Sequence, residues 1–492
     1  MTVAQTVALT VAPVPMVEPT AARVASRARR TAAPVPMVAQ TAARVASRAR
    51  RTAAPVPMVE PTAARTAALI PDSSTPAGGG AASRLAPGQA LRRCTALPMQ
   101  TFAEEVWGRS ASLSRAAELP RRGFEDLFTL DAVDRLVSLQ SLRTPFLKVA
   151  KDGETLATAT FTRGGGAGAA IGDQVGDDQL SRLFADGSTI VLQALHRTHA
   201  PLLRFGQALA ADLGHPVQVN AYITPPQSQG FSHHYDVHDV FVLQVAGEKR
   251  WVIHAPVLMH PMRDQPWTER RAEVAAAAEG EPLLDIVLRP GDALYLPRGF
   301  IHAATALGGI SAHLTVGVQE WTRKHLLDHV VAMISGTDAV RVTLPIGVDV
   351  TDPAAISGEL SATIGAMRSQ LDALAADVGG RAAGPVARGM RLAARSATRA
   401  EPVGPMAQAR AIARLDTGTA LRIRDGLRPA VRHDCDATVL DTAEVTVTLT
   451  SADRDAVDRF ASGQILRAAE LSLDGEVHLA RTLLQHAIAV EA

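Results

Sequence analysis

His234-Tyr235-Asp236 sets an imidazole and a carboxylate two positions apart, and of the fifteen histidines only His234 has an acidic residue at i+2. On an extended strand, side chains at i and i+2 leave the same face, so both can reach one divalent metal. A third ligand is offered 66 residues after Asp236, by His302 at the end of Arg289-Pro-Gly-Asp-Ala-Leu-Tyr-Leu-Pro-Arg-Gly-Phe-Ile-His302. Two imidazoles and a carboxylate on one side of an octahedral iron leave three positions open for a co-substrate and dioxygen.

These residues need strands to hold them. Val240–Val245 is a β-rich run, Gly247 is expected to turn it, and Arg250–Ile253 reads as a second strand. Pro290-Gly-Asp292 has turn chemistry and feeds a strand over Ala293–Leu296, which carries the chain to His302. Upstream, Thr189–Leu195 reads as a strand and Ala200–Leu213 as a helix leading to Val217. Phe102–Trp107 and Phe124–Phe128 begin helical patterns, and Asp131 is the expected N-cap of a helix over Ala132–Leu142. Strands are expected over Phe146–Ala150 and Leu156–Phe161, either side of a Lys-Asp-Gly turn. The glycines of Gly164–Gly168 lack the Lys-Ser/Thr of a phosphate loop and read as a connection. Of the remaining histidines, His233 should face away from His234, whereas His238 shares its face further along; His254, His260 and His313 read as structural.

Eight short pieces keep a fixed order over roughly a hundred residues: Asn220-Ala-Tyr222-Ile-Thr-Pro-Pro, Ser228-Gln-Gly230, His234-Tyr-Asp236, Phe241-Val-Leu-Gln-Val-Ala-Gly247, Lys249-Arg-Trp251, Pro290-Gly-Asp292, Pro297-Arg-Gly-Phe-Ile-His302 and His313-Leu-Thr315. Together they resemble the Jumonji-C branch of the cupin superfamily, in particular its ribosomal-oxygenase-like group of Fe(II)/2-oxoglutarate protein hydroxylases. The resemblance implies a mainly β core, a double-stranded β-helix with N-terminal helices, followed by a helical dimerisation segment and a C-terminal winged-helix-like module. It implies Fe(II) on His234, Asp236 and His302, with 2-oxoglutarate and O2 as co-substrates. The distal carboxylate of 2-oxoglutarate needs a fixed cation once buried. In the resembling proteins a lysine or arginine at the spacing of Lys249 binds it, on the strand beyond the Gly247 turn. Asn220, Tyr222 and Thr315 match supporting co-substrate positions. The bland alternative makes Lys249 a solvated residue in a strand turn.

A length of 492 residues exceeds one ordinary core. Hydrophobic residues at 47% and charged ones at 20% mark a globular chain, and a net charge of +1 favours no polyanionic partner. Cys94 and Cys435 are too few and too distant for a disulfide framework or a cysteine zinc site. No apolar run reaches membrane-spanning length, so no membrane association is expected. Lysine occurs only at Lys148, Lys151, Lys249 and Lys324, which gives the one beside the metal motif added weight.

Four regions are expected. In residues 1–98, APVPMV recurs at Ala12, Ala33 and Ala54 with a period of 21 residues, without aromatics or a buried face, which reads as disordered low-complexity sequence. Nine arginines against Glu18 and Glu60 in residues 1–65 make it a basic solvated tail or a polyanion-binding arm. Its tandem copies are unlike a transit peptide, the lack of an apolar h-region argues against secretion, and translation starting at Met58 or Met99 is a further alternative. Residues 99–322 form the oxygenase domain and residues 323–404 the helical segment and linker, with amphipathic helices over Lys324–Ser335 and Glu359–Val378. Such helices are more often core than partner surface, but the resemblance makes a homodimer the expected state. Residues 405–492 carry ten arginines against thirteen acids, a net −3, so direct DNA binding is not expected there.

The expected function is a cytoplasmic dioxygenase that hydroxylates a protein side chain, with a ribosomal protein as a candidate target. Two alternatives stand beside it: a 2-oxoglutarate oxygenase of a small molecule or modified peptide in biosynthesis, and a non-catalytic metal-binding cupin.

Overall fold

A computed structural model describes residues 87–492, except Ser141, Ala169, Thr398 and Ala443. The 21-residue repeats lie outside the described residues. Ala90, Leu91 and Cys94, ahead of the boundary expected at residue 98, are buried in the main core. Asp212 anchors this start by accepting the N–H groups of Gly88 at 2.6 Å and Leu91 at 3.0 Å. Among the described residues no helix is long and apolar enough to cross a membrane.

Nine strands form one antiparallel sheet: β1 Ser112–Ser114, β2 Leu147–Lys151, β3 Glu154–Thr155, β4 Thr189–Leu192, β5 Val217–Thr224, β6 Asp239–His254, β7 Leu284–Leu288, β8 Ala293–Leu296 and β9 Ile301–Val318. Their order is β1-β8-β6-β9-β5-β4-β2-β3, and β7 pairs with the second half of β6. The long strands β6 and β9 belong to both halves of the barrel. Phe241–Leu243 pairs with β8 and with Leu314–Val316, whereas Lys249–Ile253 pairs with β7 and with His302–Ala306.

Gly247 is therefore not a hairpin turn. It sits inside one 16-residue strand at φ +62, where the register against β9 shifts between Glu248↔Leu307 and Ala246↔Ala312. A Cβ there would lie 2.2 Å from the Ile310 carbonyl oxygen, so the bend requires glycine. Lys249 consequently lies on the same strand as Val240, past the bend.

Strand alternation sorts the side chains. Phe241, Leu243, Leu314, Val316, Ala221 and Ile223 point to the main core. There they meet the N-terminal Phe102, Phe124 and Leu136 and the buried Leu202, Phe205 and Leu209 of α1, Ala200–Leu213. Tyr222, Val242, His313 and Thr315 point the other way, into a cavity between the two halves.

Two upstream expectations need correction. Thr129, not Asp131, caps the helix beginning at Leu130, by accepting the Ala132 N–H at 3.2 Å. The run expected as a strand over Leu156–Phe161 is a 3-10 helix at Thr158–Thr160, because β2 pairs with β4 on its other edge and needs only Glu154–Thr155 here.

α2, Arg271–Ala278, borders the barrel mouth. Then follow α3, Arg323–Ser335, α4, Pro353–Ala376, and α5, Gly384–Ala397. The expected apolar stripes are not core in a single chain: Leu360 is 53% exposed, Ile364 57% and Leu371 42%. From α6, Pro405–Arg414, onward the chain has a second core, built on Leu421, Leu440, Phe460 and Leu483.

Candidate metal centre

The segment carrying His234 and Asp236 is extended but is not a regular strand; isolated bridges tie Gln229 to Thr305 and His234 to His302. The His234 N–H donates to the His302 carbonyl at 3.2 Å, and the His302 N–H returns to the His234 carbonyl at 2.8 Å. The Gly299 N–H reaches the Asp236 carbonyl at 3.0 Å, so the loop before His302 is pinned to the residues after His234. Ligand atoms of His234, Asp236 and His302 all lie within 4.8 Å of one another, a group that could hold a metal ion.

Each imidazole is oriented by a backbone carbonyl. His234 Nδ1 lies 2.7 Å from the Ser232 oxygen, and His302 Nδ1 lies 3.0 Å from the Phe300 oxygen. A carbonyl only accepts, so both Nδ1 atoms carry the proton and both Nε2 lone pairs are free for a metal. Burial, then the neighbouring His234, pushes His302 down to about 4. Burial alone would raise the Asp236 carboxyl, but His238, His302 and His234 hold it below the usual carboxylate range. The chain thus presents two imidazole Nε2 atoms and an ionised carboxylate, the donor set a divalent cation takes.

A cavity of about 240 Å³ opens from these three residues into the barrel. Lys249, from the second half of β6, lines it and is 3% exposed. Its Nζ donates to Thr224 Oγ1 at 3.0 Å, which in turn lies 3.1 Å from Thr189 Oγ1. Burial lowers this amine to about 7, and among the described residues no carboxylate pairs with it. The solvated-lysine alternative is thereby excluded. Trp251 Nε1 and His313 Nδ1, also in the lining, are buried without a hydrogen-bond partner among the described residues. An unpaired ammonium beside two orphaned nitrogens fits a ligand that brings negative oxygens.

The other expected residues divide. Tyr222 and Thr315 line the cavity, and Tyr222 stacks on His313 at 5.1 Å with 5° between the rings. Burial, then the charge of Asp236, pushes the Tyr222 phenol up. Asn220 is not in the lining; its Oδ1 accepts the N–H of Ala194, whose left-handed backbone it supports. His233 packs on His254, ring centres 5.5 Å apart, in a groove separate from the cavity. His238 lies against Gly317, outside the group of three. His313, read from sequence as structural, is a cavity wall. Trp251 and Trp267 were missed as lining residues; Trp251 sits two positions from Lys249 on the same strand face, whereas nothing local marks Trp267.

A buried clasp supports the metal loop from behind. Asp239 is buried, accepts the Arg298 N–H at 2.9 Å through Oδ1, and receives the Tyr295 hydroxyl on Oδ2. Its own N–H donates to Glu320 Oε1 at 2.5 Å, and Arg298 pairs with Glu320 at 3.4 Å. Burial, then the charge of Asp239, raises the Glu320 carboxyl to about 8. Asp239 thus joins the strand following Asp236 to the loop preceding His302.

Comparison with known proteins gives the following. A family model described as JmjC domain matches residues 197–326. The bifunctional lysine-specific demethylase and histidyl-hydroxylase NO66 of Drosophila persimilis is 42% identical over 120 residues, covering 24% of this chain and 17% of that protein. Ribosomal oxygenase 1 of Rattus norvegicus is 30% identical over 225 residues, covering 46% of this chain and 36% of that protein. The matches therefore span well under two thirds of these relatives' own lengths. The ribosomal oxygenase YcfD from Escherichia coli, in complex with cobalt and 2-oxoglutarate, aligns over 80% of this chain and 98% of its own, at 16% identity and a TM-score of 0.45. Residues 197–326, the stretch that carries His234, Asp236, Lys249 and His302, are thus similar to the JmjC domain.

Proposed function

We propose that the chain is an Fe(II)/2-oxoglutarate-dependent dioxygenase that hydroxylates a protein side chain. The observation that carries this reading is Lys249, a buried cation without an anionic partner, in the same cavity as His234, Asp236 and His302. In this reading the triad holds iron through two Nε2 atoms and one carboxylate oxygen, and Lys249 binds the distal carboxylate of 2-oxoglutarate. Iron(II) held there with 2-oxoglutarate would use O2, one oxygen atom going to the substrate C–H as hydroxyl and the other to 2-oxoglutarate, which would lose CO2 and become succinate. The chain's part is positional: Thr224 aims the Lys249 ammonium, Trp251 and His313 offer polar nitrogens to the co-substrate, and Tyr222 and Thr315 complete its wall. Asn220 has no part in this reading. Trp267, which lines both the cavity and the outer groove, stands where a substrate side chain would enter.

Proteins named ribosomal oxygenase and histidyl-hydroxylase are among the relatives. A ribosomal protein is accordingly the proposed target, and a cytoplasmic setting follows from it. The exposed Leu360, Ile364 and Leu371 on α4 support a homodimer closed through residues 323–404, with residues 405–492 as a winged-helix-like module packed in that assembly rather than on DNA. A Leu360→Glu/Ile364→Glu variant, changed only at exposed positions, should sediment as a monomer; an unchanged dimer would refute that interface. For the activity, iron-dependent release of succinate from 2-oxoglutarate should accompany one added oxygen atom on a ribosomal protein. Ribosomal proteins of identical intact mass with and without the enzyme would refute that target.

A further inference from the structure

A second hollow, of about 300 Å³, lies where α1, β5, the end of α5 and the C-terminal module meet. Arg197, Arg395, Arg399 and His196 line it, and Glu444 is the one carboxylate among its described lining residues. Arg395 is 7% exposed. Its Nε donates to the Arg428 carbonyl at 3.0 Å and its Nη1 reaches Asp441 at 3.4 Å, but its buried Nη2 has no partner among the described residues. A buried guanidinium donor without an acceptor is costly, and the described residues supply none.

The neighbouring groups add donors. Arg399 Nη1 donates to the Arg197 carbonyl at 2.6 Å, which holds the two arginines together. His196 Nδ1 accepts the Val219 N–H at 3.0 Å, so its Nε2 carries the proton and remains a donor. Burial, then the charges of Arg197 and Arg399, lowers the His196 imidazole. Arg395 also lines an adjoining hollow with Arg391 and Arg428, so the surplus of positive charge continues there.

We propose that this hollow binds a phosphate group, free or as the ester of a small molecule. Arg395 already meets Asp441 through Nη1 and keeps only its Nη2 edge free, so Arg197 and Arg399 face Glu444 as the one lining carboxylate and leave room for an anion, whose tetrahedral oxygens the forked N–H groups match. The site is independent of the metal centre.

Titration calorimetry of the full chain with inorganic phosphate and with AMP, at fixed ionic strength and against chloride, tests the assignment. Saturable binding is expected. Arg197→Gln/Arg399→Gln, changed at exposed side chains, should weaken it about tenfold or more. Glu444→Gln should tighten it several-fold, roughly the effect of removing one repelling charge. AMP binding tighter than phosphate would identify an ester ligand; equal affinities would identify free phosphate. Heats no different from chloride, or unchanged phosphate affinity in the double variant with its melting temperature preserved, would overturn the site.

Discussion

His234 and His302 exchange both of their backbone hydrogen bonds, at 3.2 and 2.8 Å, across 68 residues of chain. The main chain therefore fixes the spacing of the two imidazoles before any metal arrives. Alanine at His234, Asp236 or His302 should leave the barrel folded yet abolish Mn(II) binding measured by electron paramagnetic resonance. His233→Ala should bind Mn(II) normally, because that ring packs on His254 outside the cavity. Loss of the metal in His233→Ala with the fold intact would mean the ligand set is wrong.

Gly247→Ala should destabilise the barrel. The new Cβ would meet the Ile310 oxygen at 2.2 Å in a left-handed backbone at φ +62. Overpacking and the positive φ together should cost about 2–4 kcal/mol, read as a fall in denaturation midpoint. A variant as stable as the native chain would show that the bend does not depend on glycine.

Asp239→Asn tests the clasp behind the metal loop. The amide can still accept the Arg298 N–H but removes the charge that receives the Tyr295 hydroxyl. Mn(II) affinity should fall about tenfold, as when a supporting partner of a ligand is lost. An unchanged metal dissociation constant, with only the melting temperature lowered, would make Asp239 structural and nothing more.

Lys249 should also leave a mark on pH dependence. Its amine is lowered from an ordinary 10.5 to about 7 by burial. Between those values the unfolded chain holds the proton and the folded chain has released it, so stability rises with pH across that window. Below about 7 both states are protonated and the cost of the buried charge is full. Lys249→Met should therefore exceed the native metal-free protein in stability most below pH 7, and the gap should shrink toward pH 10.5, as urea denaturation at several pH values can follow. A gap independent of pH would show that Lys249 is not charged and unpaired in the fold.

The grouping of His234, Asp236 and His302 was legible in sequence because residue type and spacing carry it, and the place of Lys249 in the same cavity because the surrounding pieces keep their order. The strand identity of His234 and Asp236 was not. Their segment is held by single bridges and by Gly299, contacts between distant parts of the chain that no local pattern encodes. Gly247 shows the same limit: a glycine after a β-rich run fits a hairpin, and only its closeness to Ile310 makes it a bend within one strand. Asn220 shares a strand face with Tyr222, yet the turn at Ala194 claims its side chain. The α1 boundaries, Ala200–Leu213, agreed with the sequence reading because Pro201 opens the helix and Gly214, at φ +70, closes it.

In the proposed site a dicarboxylate is held at its near end by the metal and at its far end by Lys249, which makes no bond to the metal. Anaerobic calorimetry of 2-oxoglutarate into the Mn(II)-loaded native protein and into Lys249→Ala tests this arrangement most directly. The account predicts equal Mn(II) affinity in the two proteins and 2-oxoglutarate binding weakened by about 2–5 kcal/mol in the variant, whose ligand carboxylate is left buried and unpaired. Lys249→Arg should recover part of that loss, since it restores the charge. Equal 2-oxoglutarate affinity in native protein and Lys249→Ala would contradict the account.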